Sequence, residues 1–225
     1  MLTLAIEQSS GTAGVALFRG RDLVGEDAWS DTRLHAQNVF VSAPALLARC
    51  GAGLADVDLF AVGLGPGSFS GLRIAISATR SFAMPGGKAV YGVSSGEALA
   101  RDLAAGGATG TIAVVGDARR NRVWYAIFAA TDGEAAMTVP YSLAPLEALP
   151  GLIPAGATLA SPDWHRLGQD LERVLGPRVT SLRRSVSPTA RSIGAIAIDR
   201  MARGVPPPPP IPIYLHPPVI AEPKR

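Results

Sequence analysis

The chain has 225 residues, 48% hydrophobic and 17% charged, a balance that excludes an extended disordered chain and suits one large domain or two small ones. A chain of this size buries roughly 70% of the surface it exposes when unfolded, enough for a sizeable core. A net charge of +3, from 21 basic and 18 acidic residues, is too small an imbalance to argue for a nucleic-acid protein. The lone Cys50 excludes an internal disulfide and suits a reducing compartment.

In chain order, residues 2–6 read as a buried first strand closed by the polar Glu7-Gln8-Ser9-Ser10. Residues 13–19 and 23–29 follow as strands joined by a tight turn at Arg19-Gly20. Residues 32–49 read as a helix stopped by Gly51. Pro44 inside it removes an N–H and clashes with the carbonyl of Phe40, which predicts a kink or a break. Residues 57–64 form an apolar strand, and Gly65-Pro66-Gly67 a turn. Ser68 is placed as the N-cap of a helix over 69–83, which Pro85-Gly86-Gly87 ends. A strand over 88–93 and a helix over 95–105 complete this half.

The pattern then restarts with strands at 111–116 and 122–130 and a turn at Asp132-Gly133. Residues 140–162 are rich in Pro and Gly and give no clear period. A helix is expected at 164–175. Ser187 and Pro188 read as the cap and first turn of a last helix, with Ala190, Ile193, Ala197 and Met201 on one face. Five consecutive prolines at 206–210 predict a stiff polyproline II spacer that carries Ile213-Tyr214-Leu215. The division expected is a first lobe over 1–107, a second over 108–204 and a Pro-rich tail over 205–225.

Candidate chemistry is sparse. The turn Gly65-Pro66-Gly67-Ser68 before a helix could hold an anion on its backbone N–H groups. However, no Gly-Lys-Ser/Thr follows, and Ser70 stands where a dinucleotide fingerprint needs its third glycine. Close helix approach through Gly71, Ala75 and Ala78 is the structural alternative. Glu7 and Asp117, at the ends of the leading strands of the two halves, are candidate magnesium or phosphate contacts, with Ser9 beside the first. His35, His165 and His216 show no metal-ligand spacing. No serine sits in a nucleophile elbow. Trp124 and Tyr125 read as packing residues. Residues 161–203 carry eight arginines against four acids, either a solvated helical face or one that meets phosphate. No leader or membrane-spanning run is read at the start, so a cytoplasmic location is expected.

Several segments resemble the TsaB family of threonylcarbamoyladenosine biosynthesis proteins. They are Leu2-Thr3-Leu4-Ala5-Ile6 with Gly14-Val15-Ala16-Leu17, the glycine motif Gly65-Pro66-Gly67-Ser68-Phe69-Ser70-Gly71-Leu72-Arg73-Ile74, and Tyr91-Gly92-Val93-Ser94-Ser95. Asp117-Ala118-Arg119 and Pro212-Ile213-Tyr214-Leu215 add to these. The resemblance covers residues 1–130 and thins beyond them. It departs from the family at Glu7-Gln8, where Asp-Thr is usual, and at Asn121-Arg122, where Gly-Glu is frequent. Pro44 is shifted by three residues, and His216 stands where Arg is usual. The resemblance implies an α/β, actin-like (ribonuclease-H-like) fold with two lobes of mixed sheet flanked by helices. It implies a non-catalytic subunit that binds a TsaD-like transferase and works with a TsaE-like ATPase on adenosine 37 of tRNA. The chain would be a homodimer when alone and would meet tRNA only through the complex. It would require no cofactor of its own, with ATP or ADP and magnesium at the partner interface. The helices over 32–49 and 69–83 would pair with the partner, through His35, Phe69, Gly71, Leu72, Arg73, Ala75, Ile76 and Arg80. A stand-alone actin-like ATPase or small-molecule kinase, and a glycoprotease, are the alternatives.

Overall fold

The computed structural model describes residues 1–30 and 35–215, with the side chains of residues 35 and 36 outside that description. The first half opens with strands β1 (Leu2–Glu7), β2 (Ala13–Arg19) and β3 (Asp22–Trp29) and helix α1 (His35–Arg49). Strand β4 (Leu59–Gly63), helix α2 (Phe69–Ala83), strand β5 (Ala89–Val93) and helix α3 (Ser95–Ala105) follow. The second half holds β6 (Gly110–Asp117), β7 (Arg122–Thr131), β8 (Glu134–Pro145), α4 (Leu149–Leu152), β9 (Thr158–Ser161), α5 (Trp164–Leu175), β10 (Thr180–Ser185) and α6 (Ala190–Ala202).

Each half builds a five-stranded mixed sheet with the same connectivity. The first runs β3-β2-β1-β4-β5 and the second β8-β7-β6-β9-β10. In the first, β1 is antiparallel to β2 and parallel to β4. In the second, β6 is antiparallel to β7 and parallel to β9. This repeated order is the ribonuclease-H-like arrangement, and its duplication is the actin-like fold.

The first sheet is covered on both faces, which is why β1 reads as a continuous apolar run. Leu2, Leu4 and Ile6 face α1 and α2, in one core with Val39, Leu46, Leu47, Ala75 and Ala78. The opposite face presents the small Ala5, Ala16 and Ala61, and α6 packs there through Ile193, Ile196 and Ala197. The last helix of the segment assigned to the second lobe therefore returns to the first sheet. Helix α3 serves both lobes: Ala98 lies in the α6 core, while Leu99, Ala100 and Ala104 join Ile112, Val114, Trp124 and Phe128 of the second sheet. Division at residues 107 and 204 thus follows chain order but not the cores. The second sheet's other face carries α4 and α5 through Leu149, Leu171 and Leu175.

Other expectations are revised too. Helix α1 runs through Pro44 without a break. Val39, Ala43, Leu46 and Leu47 of α1 are buried to within 1% of completely, and that burial outweighs one lost hydrogen bond. Phe40, whose carbonyl loses its partner, is half exposed, where water can reach it. Strands β8 and β10 fall where no strand was expected. Strand β8 tolerates Pro140 because it is an edge strand and Pro140 lies at a register shift between Val139 and Ser142. The cap of α6 is Thr189, whose side chain accepts from the Ser192 amide at 3.1 Å, not Ser187. Met201 of α6 is 44% exposed, so the inward face is shorter than its spacing suggested. The prolines carry no helix or strand, and the tail then docks: the Ile213 amide donates to the Leu64 carbonyl at 2.8 Å. His216 lies outside the described residues. No helix among the described residues is long and apolar enough to cross a membrane.

Candidate functional site

The glycine turn lies between β4 and α2, pressed against the end of β1. The Ser68 amide donates to the Ser9 carbonyl at 2.7 Å, and the Ser68 hydroxyl accepts from the Gly71 amide at 3.2 Å. The Gly65 amide donates to the Ser95 hydroxyl at 3.0 Å. A Cβ on Gly67 would stand 2.1 Å from the Ser9 carbonyl oxygen, and one on Gly71 2.1 Å from that of Gln8. The glycines are there because two backbones touch. Several N–H groups that could have cradled an anion are already engaged inside the lobe, which favours the structural reading of the motif.

Glu7 closes the same corner from beneath. It is fully buried, its Oε2 accepts from the Ser95 hydroxyl at 2.7 Å, and its Oε1 accepts from the Ser9 amide. Burial raises its pKa above the ordinary carboxyl value, against the opposing hydrogen bonds of Ser9, Ser95 and Gln8. As it stands, Glu7 does not fit a magnesium or phosphate-water contact: both oxygens are occupied and neither meets solvent. Ser9 is buried beside it and its backbone serves Glu7 and Ser68. The longer carboxylate at this strand end has been turned inward as a structural strut.

This carries a pH prediction. A carboxyl with a raised folded pKa holds its proton more tightly when folded. Its stabilising contribution is full below the unfolded value of 4.5 and is lost as pH rises through the folded pKa. Glu7→Gln keeps the shape and removes the titration. Its melting temperature should gain on that of the unaltered chain between about pH 5 and about pH 8. Scanning calorimetry at both values tests this, and a constant difference would sink it.

Asp117 occupies the corresponding end of β6. Its Oδ1 accepts from the Arg119 amide at 2.7 Å, and its Oδ2 lies 3.3 Å from the Arg119 guanidinium and 3.5 Å from that of Arg166. Asp117 is thus tied to its own turn and to α5. Among the described residues no three His, Cys, Asp or Glu side chains gather as a metal site.

The outward sides of α1 and α2 are different in character. Phe40, Val41 and Phe69 are 50%, 60% and 56% exposed, on helices whose other sides are sealed in the core. The Phe40 ring packs edge-on against Phe82 at 5.4 Å. Tyr214 of the tail lies 5.4 Å from the Phe69 ring, and the Arg73 guanidinium sits 5.0 Å over that ring. Large apolar side chains exposed together with aromatic and arginine neighbours are the composition of binding surfaces.

Of the residues expected on this surface, Phe69, Arg73 and Arg80 are exposed. Gly71, Leu72, Ala75 and Ile76 are buried within the lobe and cannot meet a partner in this arrangement. They sit on the core side of α2, a consequence of helical phase. His35 begins α1, and its side chain lies outside the described residues. Phe40, Val41 and Tyr214 were missed. The signal for the first two was their position off the stripe formed by Val39, Ala43, Leu46 and Leu47.

Residues 28–160 match the family described as TsaD: tRNA N6-adenosine threonylcarbamoyltransferase. An uncharacterized protein of Mycobacterium tuberculosis is 37% identical over 126 residues, 55% of this chain and 57% of the relative. The tRNA threonylcarbamoyladenosine biosynthesis protein TsaB of Bacillus subtilis is 30% identical over 142 residues, 62% of this chain and 60% of the relative. The matched stretch therefore spans less than two-thirds of these relatives' lengths. In three dimensions, YeaZ from Pseudomonas aeruginosa superposes with a TM-score of 0.82 at 26% identity, covering 95% of this chain and 99% of that one. With this family match over more than half its length, the chain belongs to the TsaD family, and proteins named TsaB and YeaZ are among its relatives.

Proposed function

We propose that this chain is a non-catalytic subunit of the machinery that forms N6-threonylcarbamoyladenosine in tRNA, and that it acts by binding a TsaD-like transferase through the outward sides of α1 and α2. The observation that carries this reading is the exposure of Phe40, Val41 and Phe69 on otherwise buried helices. Burying such aromatic anchors is what makes an interface tight. In isolation, the same surface would pair with a second copy of the chain. A TsaE-like ATPase and tRNA would join through the complex, and ATP or ADP with magnesium would sit at the partner interface. The alternative of a stand-alone ATPase or kinase loses its main support with the inward-turned Glu7. Deleting the gene in its own host should strongly lower threonylcarbamoyladenosine in tRNA, read by mass spectrometry of digested nucleosides. An unchanged level would overturn the proposal.

A further inference from the structure

We infer that the turn at residues 118–122 is a contact for the phosphate backbone of a structured RNA, made by Arg120 and Arg122. The inference rests on the preceding reading only for the choice of RNA, and departs from it in making the contact direct. Arg119, Arg120 and Asn121 all hold left-handed backbone, with φ of 65°, 52° and 60°. Of these only asparagine adopts that conformation readily, and L-residues rarely do so in succession. A run of this kind persists only where surrounding contacts hold it, and such turns gather at working surfaces. Here Asp117 accepts from the Arg119 amide at 2.7 Å, the Ala118 amide donates to the Arg122 carbonyl at 3.0 Å, and the Arg122 amide donates to the Arg119 carbonyl at 3.1 Å.

The charge displayed there is uncompensated. Several other arginines in this lobe are neutralised, Arg166 by Asp163, Arg173 by Glu147 and Asp170, Arg183 by Glu172, while the exposed Arg178 and Arg184, like the turn, have no acidic partner among the described residues. At the turn, Arg119 is paired with Asp117. Arg120 is exposed with no acidic partner among the described residues, and the exposed Arg122 reaches only the Leu143 carbonyl at 3.4 Å. Guanidinium groups standing on an open turn suit the successive phosphates of a polyanion, whereas a free anion needs donors that converge in a pocket. The neighbouring rings of Trp124 and Tyr125 are buried at 4% and 7% exposure, so they cannot stack on bases. The contact is therefore to backbone and indifferent to sequence.

The test is fluorescence anisotropy of the full chain with a labelled tRNA transcript across a salt series. Arg120→Ala/Arg122→Ala should bind at least about tenfold more weakly, with a log K against log salt slope shallower by about one per arginine removed. An unrelated folded RNA should show the same loss. Arg120→Lys/Arg122→Lys should recover most of the slope, and Arg178→Ala, removing another exposed arginine, should change binding less than about twofold. Both turn residues are exposed, and an unchanged circular dichroism melt verifies folding. The inference is overturned if the double alanine variant binds like the unaltered chain, if Arg178→Ala loses as much, or if the chain binds anionic vesicles and no RNA. Cellular threonylcarbamoyladenosine levels test the proposed function separately, so either idea can fail alone.

Discussion

Gly71→Ala should cost about 3 kcal/mol of stability and Gly71→Val more, placing them among the most damaging single changes available to this chain. The added Cβ would stand 2.1 Å from the Gln8 carbonyl oxygen and 3.3 Å from its carbon. The obstacle is backbone, so no rotamer change relieves it. Nor can the backbone retreat easily, because β1, ending at Glu7, is paired on one side with β2 and on the other with β4. Helix α2 would have to move off the sheet, loosening Ala75 and Ala78 from the core they share with Ile6 and Val62. Gly11→Ala is the control, since a Cβ there meets nothing within 4 Å and the position has no left-handed backbone; it should change stability by less than about 0.5 kcal/mol. Urea denaturation read as midpoints decides the matter. Equal midpoints for Gly71→Ala and the unaltered chain would show that the contact between α2 and the end of β1 is looser than described.

Phe69→Glu should weaken association with a TsaD-like partner by roughly 30-fold, the equivalent of about 2 kcal/mol. The ring is 56% exposed, flanked by Tyr214 and capped by Arg73. Glutamate removes the apolar anchor and sets a charge where the partner's apolar surface would arrive. The fold should survive, because the side chain already stands half in water. Ala75→Glu makes the instructive contrast. Ala75 is wholly buried, so glutamate there puts an unpaired charge in the core and unfolds the lobe. Lost association in that variant would report misfolding. Titration calorimetry gives the affinity and a thermal melt gives the fold. An unchanged affinity for folded Phe69→Glu would place the partner surface elsewhere on the molecule.

The candidate site was only partly legible before folding. The glycine motif located α2 and its cap, and Phe69 at its first turn, expected as a partner contact, stands exposed. Gly71, Leu72, Ala75 and Ile76 were assigned to the same surface because the resemblance implied pairing by the whole helix over 69–83. Helical phase sends them inward, and phase matters only once the sheet beneath the helix is known. Glu7 shows the same limit. A carboxylate ending the first strand reads as a ligand position, and nothing local reveals that Ser95, 88 positions later, will supply a hydroxyl to hold it inside.

What the sequence by itself determined is what depends on near neighbours along the chain. The apolar run of β1, the Ser68 cap and the glycine turn all emerged where period and capping put them. Family membership was legible for the same reason, since its motifs are short and contiguous. The tertiary structure decided what depends on residues distant in the chain. It returned α6 to the first sheet, where Ala5, Ala16 and Ala61 leave room for a helix. It set α3 between the lobes, and it made strands of β8 and β10, whose prolines, charges and register shifts hide any period of two. Local patterns record which surface a segment must bury. Which surface is buried against it, and which side chains then remain outside, follows only from the assembled sheets.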